Sequence, residues 1–324
     1  LIFSAVQANS ISEAMTEAFG VPGIVTGVVI AALAGIVIFG GIRSIANVAD
    51  KIVPAMAGIY LLVAIYVLVI HITEVPAMLA LIVKSAFGFE QAAGGFTGGI
   101  MAALMNGVKR GLFSNEAGMG SAPNIAAAAV PDPHHPSSQG LVQGLGVFID
   151  TLMICTATAL MILLSGAVDY GPDGAQGMVL TQNALGEHIG VAGPYFVAIA
   201  ILFFAFTSII GNYSYSESAM EFLGLGGRVP LMILKALAMA MVVWGAVQPV
   251  SAVFNLADAS MAVMATINLV AILILSKTVV VLIKDYFGQK AAGRVPLFRF
   301  SEHPDIDKGV DPSIWNRDVA QERQ

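Results

Sequence analysis

The sequence predicts an all-α polytopic membrane protein, on three observations. AVILMFWYC make up 57% of its 324 residues and Asp, Glu, Lys and Arg only 11%, against about 45–50% and about 25% in an average soluble domain. The apolar residues form continuous runs instead of alternating with polar ones, which excludes a transmembrane barrel. Many of the runs stay nearly free of charge for about 20 residues, the length that crosses a bilayer.

The rest of the composition narrows the class. A mean hydropathy of +0.83 leaves too little polar surface to cover a compact chain of this size in water. The formal net charge of −6 argues against nucleic acid as a partner. The single cysteine, Cys155, rules out an intramolecular disulfide and reads as a packing residue inside an apolar run. The chain starts at Leu1, and no basic segment precedes the first apolar run, so nothing reads as a signal peptide. A fragment of a longer protein is expected.

Taken in order, residues 1–19 read as the second half of a helix and 21–42 as a span starting near Pro22. Residues 53–73 give a third span, with Pro54 suited to its first turn. Residues 75–89 are apolar but short, and read as an interfacial or re-entrant helix. Residues 95–129 form one crossing broken by a polar island, and 140–166 a span interrupted only by Asp150. Segments 194–223, 230–248 and 254–286 complete the transmembrane portion, 1–287. Residues 288–324, polar and holding Pro296, Pro304 and Pro312, read as a cytoplasmic tail. Strict alternation from a cytoplasmic Arg43 and Lys51 puts the acidic 167–193 loop outside. It puts the eight basic residues from Lys277 to Arg323 inside.

The stretch that carries chemistry is NGVKRGLFSNEAGMGSAPNIAAAA, Asn106 to Ala129. Lys109, Arg110, Asn115 and Glu116 stand between two apolar half-segments, among Gly107, Gly111, Gly118 and Gly120. Helix is unfavourable through so many glycines, and irregular backbone at membrane depth is tolerated only inside protein or along a cavity. An unwound helix offers free N–H groups to a carboxylate and free C=O groups to a cation. An α-amino acid presents both charges.

Other polar residues leave alternatives open. Thr207 and Ser208, in AFTSIIGNYSYSES, either supply hard oxygen ligands to Na⁺ or bond back to their own helix. Asp150 is either functional or a buried partner of Thr151 or a lysine. Asp258 fits an acid three residues past a cap at Asn255. Gln7 and Asn9 face a substrate path or bond across helices, and His71 reads as interfacial. The pairs Gly94/Gly98, Gly95/Gly99 and Gly140/Gly144 read as close helix packing. His134 and His135, in PDPHHP, make no metal site by themselves. No P-loop, GxSxG or HExxH pattern points to an enzyme.

GLFSNEAGMGSAP, with NGVKR before it and FIDTLMICTATALMILLSG after it, resembles the alanine/glycine:cation symporter family, the sodium:alanine symporters. So do VQANSI, FGGIRSIANVADKIVPAMAGIYLL, FFAFTSIIGNYSYSES and VFNLADASM, and the resemblance runs from about residue 1 to about 300. It implies a leucine-transporter-type fold of two inverted five-helix repeats. By that likeness 95–129 is core helix six, and helices one, two and part of three are lacking. The implied activity is Na⁺-coupled symport of alanine or glycine at the cell membrane, with Na⁺ as coupling ion, no other cofactor and the C-terminus cytoplasmic. The implied substrate residues are Gln7, Gly111, Phe113, Ser114, Asn115, Glu116, Gly118 and Gly120, with Phe113 as the floor of a small pocket. Thr207 and Ser208 become the implied Na⁺ ligands. Proton coupling and an inactive truncated chain remain the alternatives, and the chain alone is expected not to transport.

Overall fold

A computed structural model describes residues 1–87, 95–169, 174–303, 306 and 315. Gly94, Asp173, Pro304, Lys308, Pro312, Arg317 and Arg323 lie outside them. Every regular element among the described residues is helical, and five helices are long and apolar enough to cross a membrane. The chain forms two compact units, Leu1–Ser114 with Asp150–Ala262, and Asn115–Ile149 with Val263–Gln324.

The first unit is built around α1 (Ile2–Phe19). Ser4, Ala5, Ala8, Ile11, Ser12 and Ala14 of this helix are buried, because α2 (Gly23–Phe39), α9 (Gly177–Ile189), α10 (Ala192–Phe222) and α11 (Arg228–Val247) all pack on it. Small residues let the helix backbones approach. A Cβ added to Gly245 of α11 would overlap the backbone of Ala5. Asn9 donates to the carbonyls of Gly245 at 3.0 Å and Gln248 at 2.7 Å, and Ser12 to that of Ala246 at 2.7 Å. Helix α1 thus adds donors to the carbonyls at the end of α11, where helical partners run out. Of the two roles the sequence leaves to Asn9, the structure realises bonding across helices.

Two elements differ from the sequence reading. Helix α3 (Gly41–Ile70) runs through Arg43, Asp50, Lys51 and Pro54 instead of starting at residue 53. Its buried Met56, Tyr60, Ala64 and Val67 recur at helical spacing, and this face outweighs the hydrogen bond that Pro54 removes. Helix α9 lies where a loop was expected. Glu13 of α1 accepts the Met178 N–H at 3.1 Å, and a carboxylate suits a helix start. The buried Gln182 donates to the carbonyls of Ala14 and Pro194. These partners lie outside α9, so its own sequence does not announce it. Helix α4 (Val75–Ala86) is short and apolar. Outward-facing Ile36, Leu62 and Val69 are well exposed, as a lipid-facing surface requires.

The second unit holds α6 (Ala122–Ala126), α7 (Pro136–Phe148), the later part of α12 (Val250–Ala291) and the segment beyond it. Phe298 is 2% exposed and donates its N–H to the His134 carbonyl at 3.0 Å. The His135 ring, fully buried, meets Tyr286 and Phe298 edge-on. Its Nδ1 accepts the Ser137 N–H at 3.1 Å and so caps α7. That bond leaves Nε2 as the protonated nitrogen, 3.1 Å from the Asp285 carboxylate.

Candidate substrate and cation sites

The sequence-predicted residues fall in both units. In the first, α5 (Gly95–Asn115) carries Gly111, Phe113 and Ser114, α1 carries Gln7, and α10 carries Thr207 and Ser208. Phe113 sits between Phe3 and Phe254, with ring centroids 5.8 and 6.0 Å away. Arg110, one turn back, lies over the Phe254 ring at 5.1 Å and pairs with Asp258 at 3.1 Å. Lys109 reaches the same carboxylate oxygen at 3.6 Å. Asp258 is therefore no cap residue. Helix α12 already starts at Val250, so Asp258 stands inside it and meets the two cations of α5.

Thr207 and Ser208 both donate to the carbonyl of Phe204, at 2.9 and 3.1 Å. In this state each hydroxyl satisfies its proton within the helix. Their oxygens keep lone pairs for a cation.

The second unit holds the turn between α5 and α6. Asn115 accepts the Ala117 N–H through Oδ1 at 3.2 Å, an Asx-type turn that stops the helix. Glu116 has φ +56°, Gly118 φ +85° and Gly120 φ +97°. Three left-handed residues in five make continuous helix impossible here. The Glu116 carboxylate accepts from Ser121 Oγ at 2.6 Å, which gives the non-glycine left-handed residue a local anchor. Asn268 of α12 donates to the Gly118 carbonyl at 3.0 Å. A Cβ at position 120 would fall 2.9 Å from that of Asn268, so glycine is needed there for space as well as for conformation. Asn268 was missed in the sequence. The signal available was an amide within an otherwise apolar span.

Asp150 opens a return to the first unit. It lies in a π-helical segment, Ile149–Cys155, which follows α7 and leads into α8 (Thr156–Leu164). Its carboxylate accepts from Ser114 Oγ at 2.6 Å. Cys155 Sγ lies 3.0 Å from Ser114 Oγ and 3.8 Å from the Asp150 carboxylate. The cysteine read as packing thus sits in a polar cluster.

Five helices among the described residues are long and apolar enough to cross a membrane, and a turn of left-handed residues follows α5; the fold is that of a multi-pass membrane protein. The chain belongs to the sodium:alanine symporter family, which it matches over residues 1–300. It is 47% identical to the probable sodium/glutamine symporter GlnT of Bacillus subtilis, over 92% of this chain and 61% of that protein. It is 46% identical to the amino-acid carrier protein AlsT of the same organism, over 94% of this chain and 64% of the relative. It is 37% identical to a sodium/proton-dependent alanine carrier of Bacillus sp. PS3, over 94% and 70%. The chain spans a little over three-fifths of the length of the first two.

Proposed function

We propose that the complete protein couples inward movement of Na⁺ to uptake of a small neutral amino acid, alanine or glycine, by alternating access in a leucine-transporter-type fold. The observation that carries this reading is the interrupted helix, with left-handed Glu116, Gly118 and Gly120 between α5 and α6. Backbone released from helical bonding in a membrane protein binds charged solutes at helix ends. Asn115, Glu116, Gly118 and Gly120 form the substrate-binding turn, and Gly111, Ser114 and Gln7 are the substrate candidates of the first unit. Phe113 limits side-chain size. Thr207 and Ser208 turn their oxygens to Na⁺, which prefers hard ligands.

The name of the Bacillus sp. PS3 relative favours a second reading for the ion, a proton beside or instead of Na⁺. The GlnT relative favours glutamine as a rival substrate. One experiment separates these. The complete protein, reconstituted in liposomes, is tested for alanine uptake under an inward Na⁺ gradient, an inward proton gradient or neither. Glycine, leucine and glutamine serve as competitors. Uptake driven by Na⁺ and inhibited by glycine but not by leucine is expected. Equal competition by leucine or glutamine would end the small-substrate assignment, and uptake indifferent to Na⁺ would end the coupling assignment. In a Thr207→Ala/Ser208→Ala variant, the Na⁺ concentration for half-maximal uptake should rise about tenfold, the scale of one lost ligand interaction.

A further inference from the structure

Residues 250–276 of α12 hold one charged side chain, Asp258, and the charged side chains of α5 are Lys109 and Arg110. Helix α12 is long and apolar enough to cross a membrane, and a charge inside such a span is costly and is kept for a purpose. Here the charges of the two helices meet. Asp258 Oδ2 accepts from Arg110 Nη2 at 3.1 Å and lies 3.6 Å from Lys109 Nζ. Phe254 stands one turn before Asp258 on α12, and Phe113 one turn after Arg110 on α5, so each pair shares a helix face. The Arg110 guanidinium covers the Phe254 ring at 5.1 Å, and that ring in turn borders Phe113 at 6.0 Å. Phe3 borders Phe113 at 5.8 Å. A Cβ added at Gly98, Gly107 or Gly111 of α5 would meet nothing within 4 Å. Close backbone packing does not fix α5 at those positions, so its placement in the first unit falls to its long side chains.

We propose that Asp258 is a positioning residue for side-chain selection, which holds Arg110 over Phe254 and so fixes the aromatic wall behind Phe113. This inference rests on the reading above that Phe113 limits side-chain size. A phenylalanine ring keeps the rotamer that its neighbours leave it. Phe254 carries a guanidinium against its ring, an attraction that strengthens away from water. The guanidinium stays there because the Asp258 carboxylate holds it by a charge-assisted hydrogen bond. Without that carboxylate Arg110 turns elsewhere, Phe254 gains rotamers, and Phe113 loses a fixed aromatic neighbour. Space then opens for a longer side chain. Asp258 acts through Arg110 and Phe254, not on the solute.

The test uses the complete protein in liposomes and reads the inhibition constant of leucine divided by the KM of alanine. That ratio cancels any loss of folded protein, of turnover or of local charge that the two zwitterions feel alike. Phe113→Ala removes the wall itself and should lower the ratio about tenfold or more. Asp258→Asn and Arg110→Gln should each lower it about tenfold, the scale on which a pocket resolves small differences in side chain. Asp258→Glu keeps a carboxylate for Arg110 and should stay within about threefold of the parent. Phe254→Leu leaves the ion pair in place and should also lower the ratio, which carries the test where a charge variant does not reach the membrane. The Asp258→Asn/Phe113→Ala double variant should show the ratio of Phe113→Ala alone, because both changes act on one wall. The proposal is overturned if Phe113→Ala lowers the ratio while Asp258→Asn, Arg110→Gln and Phe254→Leu do not. An Asp258→Glu as permissive as Asp258→Asn, or multiplying effects in the double variant, would overturn it too. If Phe113→Ala leaves the ratio unchanged, the size-selection reading itself falls, and the proposal falls with it.

Discussion

Asn9 and Ser12 illustrate how single residues hold this protein together. Both are polar, both sit in an apolar helix, and both spend their hydrogen bonds on the last carbonyls of α11. Those bonds are possible because Gly245 lets α11 lie directly on the backbone of Ala5. Gly245→Ala should therefore force the two helices apart and weaken the Asn9 and Ser12 bonds with them. Overpacking of this kind costs about 1–3 kcal/mol, and each buried carbonyl left bare adds about as much. The expected outcome is a clear fall in the thermal midpoint of the detergent-solubilised protein. Gly58, also helical but with open space at its Cβ position, serves as the control, since Gly58→Ala should be neutral or slightly stabilising. Equal midpoints for the two variants would refute the close-packing argument.

At the scale of an element, α7 depends on an unusual cap. His135 uses Nδ1 to accept the Ser137 N–H, so protonation of that nitrogen breaks the cap. Burial holds the His135 pKa below its ordinary value of 6.5, and the nearby Asp285 carboxylate only partly offsets this. His303, 3.3 Å from the same carboxylate, Tyr286, edge-on to the ring, and His134, tilted against Trp315, are further titratable groups around it. A histidine with a lowered folded-state pKa binds its proton more readily when unfolded. Its stabilising contribution is complete above pH 6.5 and is lost as pH falls from there towards the folded-state value. Chemical denaturation followed from pH 8 to pH 5 should show this decline. His135→Asn keeps a good cap but cannot titrate, and should flatten that part of the curve. A slope identical to that of the parent protein would assign the acid sensitivity elsewhere. His135→Ala should lose about 1 kcal/mol at pH 8, the ordinary value of a cap.

For the whole molecule, the two features that matter are the lipid-facing surface and the distribution of charge along the chain. The described surface carries many large apolar side chains, Leu273 and Ile274 of α12 among them at 74% and 75% exposed. In water such a surface would aggregate, and in a bilayer it is the face the solvent wants. By the positive-inside tendency, the basic residues from Lys277 onward predict a cytoplasmic side for the end of α12. Ala292, exposed just past the end of α12, offers a place to read that direction. In an Ala292→Cys variant, a membrane-impermeant maleimide should label position 292 in inside-out vesicles and leave it unlabelled in right-side-out ones. The opposite pattern would invert the topology.

The membrane class and the helical class were legible in the sequence, because each is a local property, whereas α5 runs on through Gly107 and Gly111, where helix was expected to be unfavourable, and stops only at Asn115. Runs of about 20 apolar residues mean spans wherever they occur. Asn115 to Gly120 disfavour helix whatever surrounds them, and the left-handed Glu116, Gly118 and Gly120 are the outcome. The structure alone decided which residues meet across the chain. Asp258, a cap candidate by its neighbours in sequence, pairs with Arg110, 148 positions away. Asn9 reaches Gly245 across 236 positions. Helix α9 exists where a loop was expected, since its start and its buried glutamine are satisfied by α1 and α10. Asp150, undecided by itself, takes its meaning from Ser114, on a different helix. Periodicity and capping rules act within a few turns of one helix. Pairing between helices depends on which faces pack, and a membrane span that is apolar all round gives little sign of which face that is.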